Sequence, residues 1–128
     1  MKQRLVLTSL VVKDYDEAIS FFIERLGFEL RSDKALSETK RWVVVAPAGG
    51  GDAGILLAKA TSERQAASIG EQSGGRVFLF LETDDFERDY RDYCARGVRF
   101  VEGPRVEAYG SVAVFEDLYG NRWDLIGV

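Results

Sequence analysis

The chain writes one pattern twice, and the repetition limits the folds open to it. An apolar run at 5–12, LVLTSLVV, is followed by Asp14 and, thirteen residues later, by Gly27; a second run at 76–82, RVFLFLE, is followed by Asp84 and, again thirteen residues later, by Gly97. Short β-branched and apolar runs of this kind read as buried strands. Asp14 with Glu17, and Asp84 with Glu87, have the spacing of a helix N-cap and its reciprocal acidic partner. Ile19, Phe22, Ile23 and Leu26 then recur at the spacing of an amphipathic helix, and Phe86, Tyr90, Tyr93 and Cys94 share one face of a second. Gly27 and Gly97 fall where a left-handed C-terminal cap favours glycine.

Each helix leads into extended segments. In the first half these are 28–31, Arg41–Ala46 and 55–58. In the second they are 98–101, 111–116 and 122–126, with Gly103-Pro104 as one turn and Tyr119-Gly120-Asn121 as another. The polar stretch between them, with a short helix over 62–69 and a glycine-rich loop at 70–75, is the natural linker. We therefore expect an α+β chain in a single domain built of two βαβββ modules, about 1–58 and 76–128, joined by a linker at 59–75. Modules this small cannot bury an independent core, so they must pack or pair.

Composition narrows the chemistry. Among 128 residues there is one Cys, no His and a net charge of −4. Without histidine there is no Ser-His-Asp or Cys-His mechanism and no imidazole metal ligand. No basic cluster interleaves with aromatics, which argues against nucleic acid as a partner. The first apolar run is too short for a membrane span, and a lone Cys94 cannot form an intramolecular disulfide, so the expected location is the cytoplasm. Cys94 itself reads as a buried packing residue. The GGG run at 49–51 lacks the Lys-Ser/Thr and the strand-to-helix context of a phosphate loop.

Three segments carry a family resemblance: SLVVKDYDEAISFFIERLGFEL, FLFLETDDFERDYRDYCARGVRF and FEDLYGNRWDLI. They resemble the vicinal-oxygen-chelate superfamily of glyoxalase I, bleomycin-resistance proteins and extradiol dioxygenases. The resemblance implies two βαβββ modules whose mixed sheets form a cup-shaped cavity, with helices on the outer face. In the metalloenzymes of that superfamily four side chains hold a divalent cation. The matching positions here are Leu7, Leu56, Phe78 (or Val77 after a one-residue shift) and Asp124. Hydrocarbon side chains offer no lone pair, so we expect no metal and no cofactor. A Mg or Mn site joining Asp124 to Glu82, Glu116 or Asp117 is the disfavoured alternative.

Strand alternation places Leu7, Ser9, Leu56, Phe78, Phe80, Arg122 and Asp124 on the cavity side. Asp124 reads either as a general base with a raised pKa or as a structural carboxylate paired with Arg122, Arg41 or a backbone amide; the structural reading is preferred. Trp42 and Tyr109 read as stacking groups for a planar ligand or, more commonly, as core aromatics. Arg41 suits a ligand carboxylate or, in the preferred reading, a surface ion pair. Glu116 and Asp117 read as solvated or turn-stabilising. The expected function is metal-free binding of a small organic molecule by a homodimer. A metal-dependent lyase/isomerase or dioxygenase-like enzyme, or a metal-free proton-transfer enzyme using Asp124, are its rivals.

Overall fold

The computed structural model describes residues 1–128, which form two compact units, Met1–Ile69 and Gly70–Val128. Each unit is a βαβββ module built on a four-stranded mixed sheet. No helix is long and apolar enough to cross a membrane.

The first unit runs β1 (Leu7–Val12), α1 (Tyr15–Ser20), β2 (Glu29–Ala35), β3 (Arg41–Ala46), β4 (Gly54–Lys59) and α2 (Glu63–Ala67). Its strand order is β1-β4-β3-β2, parallel between β1 and β4 and antiparallel elsewhere. Asp14 caps α1 by accepting the Glu17 N–H at 2.8 Å. The helix does not run on as a regular α-helix to Gly27. Residues Phe21–Arg25 form a π turn, in which the Leu26 N–H donates to the Phe21 carbonyl. This widening rotates the buried stripe to Tyr15, Ala18, Phe22 and Leu26, while Ile19 and Ile23 are only half-buried. Leu10, Val12, Val43, Val45 and Leu57 are among the buried strand residues of this core.

The second unit runs β5 (Val77–Thr83), α3 (Phe86–Ala95), β6 (Arg99–Glu107), β7 (Gly110–Glu116) and β8 (Arg122–Gly127), in the order β5-β8-β7-β6. The cap of α3 is Asp85, not Asp84: its carboxylate accepts the Arg88 N–H at 3.1 Å. Thr83 selects this register, because its hydroxyl accepts the Asp85 N–H and also bonds Asp89. Asp84 points outward and pairs only with Arg88. Gly97 thus follows its cap by twelve residues where Gly27 follows by thirteen, and the π turn of the first unit holds the extra residue. On the α3 side of the sheet an aromatic cluster forms the core. Tyr93 meets Phe115 edge-on at 5.6 Å, and Phe115 stacks on Trp123 at 5.7 Å.

Two further expectations are corrected. Gly103-Pro104 is not a turn but lies inside β6, where pairing with β7 skips between Glu102 and Arg105. Proline has no N–H for a ladder, so it sits in a bulge of an edge strand. The turn itself falls at Ala108-Tyr109. Cys94 is exposed rather than packed in the core, because the buried face of α3 is centred on Tyr93.

Candidate functional site

The closing hairpin of the second unit is organised by Asp117. One carboxylate oxygen accepts the backbone N–H groups of Tyr119 and Asn121, both at 3.0 Å, and the other accepts Trp123 Nε1–H and the Asn121 side-chain amide, both at 3.1 Å. Burial pushes its pKa up, against hydrogen bonds from Trp123, Asn121 and the turn backbone that pull it down. Asp117 is therefore turn-stabilising and buried, with no oxygen to spare for a ligand.

That hairpin sets the register of β8 and with it the position of Asp124. Cross-strand pairing aligns Phe80, Asp124, Val114 and Glu102 in one row across the four strands. The adjoining row is Glu82, Ile126, Val112 and Arg105. Both rows lie on the sheet face opposite the Trp123–Phe115 side covered by α3. Asp124 is only 7% exposed, and its Oδ1 is buried without a hydrogen-bond partner. Burial is the main cause of its raised pKa; Arg105 works against the rise and Glu102 adds to it.

The preferred structural pairing of Asp124 is not found. Arg41 belongs to the other unit's polar network, where it binds Asp33 at 2.7 Å and Asp16 at 2.9 Å and lies over the Tyr15 ring. Neither Arg122 nor a backbone amide reaches Oδ1. Phe80 shares the Asp124 row and is 66% exposed. Phe78 does not extend that pattern, because pairing shifts between Val77 and Leu79 and leaves it as the extra residue of a bulge, with Val77 opposite Arg122.

In the first unit Ser9, Leu56, Val44 and Ser32 form the corresponding row, and Leu7 lies opposite Gly54. Trp42, two residues before Val44 on β3, is on the same face and exposed, as is Leu7. Tyr109, at the β6–β7 turn, is exposed too, so neither Trp42 nor Tyr109 is a core aromatic. Glu102 and Arg105 are the neighbours of Asp124 that the sequence did not reveal; reading Gly103-Pro104 as a turn hid their shared face.

A metal does not fit these residues. Leu7, Leu56 and Val77 or Phe78 offer only hydrocarbon, and no group of three or more His, Cys, Asp or Glu side chains is placed to hold an ion. The all-carboxylate alternative is not assembled either, since Asp117 is fully hydrogen-bonded within its turn and Glu116 pairs with Arg99.

Residues 4–125 match the Glyoxalase/Bleomycin resistance protein/Dioxygenase superfamily. The chain belongs to that superfamily. It is similar to an uncharacterized protein from Shewanella frigidimarina (strain NCIMB 400), at 54% identity over 98% of this chain and 94% of that one. Among solved structures it is similar to UcmS2, at 30% identity and TM-score 0.87, with 100% of both chains covered. It is also similar to TnmS3, an antibiotic binding protein from Streptomyces sp. CB03234, at 30% identity and TM-score 0.79, covering 98% of this chain and 96% of that one. The two repeated βαβββ modules expected from the sequence are the fold these neighbours share.

Proposed function

We propose that this superfamily member binds a small organic molecule without a metal; the helix-free sheet face of the first unit carries Leu7, Ser9, Trp42 and Leu56, and that of the second carries Phe80, Arg122 and Asp124. The observation that carries this reading is the donor set. Three of the four positions that bind metal in the superfamily's metalloenzymes are apolar, while exposed aromatics and one buried carboxylate occupy the same faces. Such mixtures of apolar surface and few polar groups suit recognition of drug-sized molecules. The antibiotic-binding neighbour supports the same reading. Tyr109, exposed at the β6–β7 turn, adds an aromatic surface. Each sheet ends in edge strands that a second copy of the chain could cover, so we read the working form as a homodimer. The single cysteine supports a cytoplasmic setting.

A thermal-shift screen over catechols, thiol conjugates and glycopeptides tests the binding. Elemental analysis of protein purified without chelators tests the metal. We expect at least one class to raise the melting temperature and metal to be far below stoichiometric. Stoichiometric Ni, Zn, Fe or Mn would overturn the metal-free reading.

A second reading has its own observation. The partnerless Oδ1 and raised pKa of Asp124 are the properties of a general acid or base. In that case Asp124 exchanges a proton with a carbon acid bound on this face. Turnover that survives in Asp124→Asn would remove it.

A further inference from the structure

We propose that the molecule recognised on the second sheet is a nitrogenous cation that pairs with the Asp124 carboxylate. This rests on the small-molecule reading above and names the chemistry of its ligand.

The strongest ground is the state of Asp124. A carboxylate that is more than nine-tenths buried and has one oxygen without a donor lacks a partner for its charge. The protein's own cations do not supply it. Arg105, the cation whose charge acts on Asp124, is held by Glu107 at 2.9 Å and Glu102 at 3.4 Å. Arg122 shares the face but is directed to solvent. A charged N–H group is the donor that suits such a carboxylate best, since a charge-assisted bond is about twice as strong as a neutral one.

The surroundings favour a cation over an anion. Register places Glu82, Glu102, Glu107 and Glu116 on the Asp124 face together with Arg99, Arg105 and Arg122, so carboxylates outnumber guanidinium groups. An anionic ligand would meet this excess without a free guanidinium near Oδ1. Phe80 is adjacent to Asp124 in the same row and largely exposed, which gives the flat body of a heteroaromatic base a ring to lie against.

The test uses two three-ring probes of opposite charge, proflavine as the cation with N–H donors and anthraquinone sulfonate as the anion, titrated by calorimetry into the full chain. We expect proflavine to bind about tenfold more tightly than the sulfonate or better, and Asp124→Asn to weaken proflavine about tenfold while leaving the sulfonate unchanged. Arg105→Gln, an exposed change that leaves the core intact, should tighten proflavine about two- to threefold by freeing Glu102 and Glu107. It keeps the test decisive even if Asp124→Asn folds poorly. Equal binding of both probes, with neither substitution changing the cation's affinity, would overturn the inference and leave the small-molecule reading standing. Failure of both probes to bind would overturn the inference, and only if the thermal-shift screen also finds no ligand would the small-molecule reading fall with it.

Discussion

Asp117 and Asp124 are buried carboxylates seven residues apart, and their hydrogen bonds give them opposite consequences for stability. Both oxygens of Asp117 are met by donors from the turn it organises. Asp117→Ala leaves the Trp123 and Asn121 donors and two turn N–H groups unpaired, and should cost about 3 kcal/mol or more, read by urea denaturation. Asp117→Asn keeps an acceptor but turns a donor toward its neighbours, and should fall in between. Asp124 has no donor at Oδ1, so removing its charge should have the opposite effect. Its pKa is raised in the folded chain, so the folded state binds this proton more tightly than the unfolded state does. Stability from this group is therefore complete below the ordinary carboxylate range and is lost as pH climbs through the folded value. Asp124→Asn removes the ionisation, and should make the protein more stable than wild type at neutral pH by roughly 1 kcal/mol. The difference should vanish toward pH ~3, below the ordinary carboxylate pKa. Equal stability of the two proteins at both pH values would show that Asp124 carries no linked proton.

At the scale of elements, strands and helices were legible wherever a local pattern sufficed, and their joins were not. The run 5–12 and the Asp14 cap announced β1 and α1 because both depend on residues adjacent in sequence. The Arg41–Ala46 strand was legible end to end, being apolar and closed by Pro47. The cap of α3 was displaced by one residue because Thr83, a strand residue, chooses between Asp84 and Asp85 through its hydroxyl. The bulges at Phe78 and at Gly103-Pro104 depend on cross-strand pairing, which no local pattern encodes, and they changed which side chains flank Asp124. The cap assignment has a direct consequence. Asp85→Ala should cost about 1 kcal/mol as a lost N-cap. Asp84→Ala, which removes only an exposed pair with Arg88, should stay within about 0.5 kcal/mol of wild type. Thermal unfolding of the two variants side by side decides the register, and a larger loss from Asp84 would reverse it.

At the scale of the molecule, the repeat and the missing histidines bear on different properties. The repeat sets the architecture, and two βαβββ units with their own sheets follow from it. The absence of histidine bears on chemistry, and it becomes local once the sheets are aligned: Leu7 and Leu56 belong to one sheet, Val77 and Phe78 to the other, and only Asp124 has oxygen to offer. A ligand that binds only the folded state stabilises it by an amount set by its concentration over its dissociation constant, about 2.7 kcal/mol at a hundredfold excess. For a chain of this size that raises the melting temperature by several degrees. A carboxylate that belongs to no cluster of three or more donors has no such affinity for a divalent cation. Adding Ni, Zn or Mn at tens of micromolar, against a chelator control, should therefore leave the melting temperature of the wild type unchanged to within about 1 °C. The same should hold for Asp124→Asn. A metal-induced rise in wild type that disappears in the variant would mean that Asp124 gathers donors on binding that its sheet neighbours do not provide, and the metal-free reading would fall.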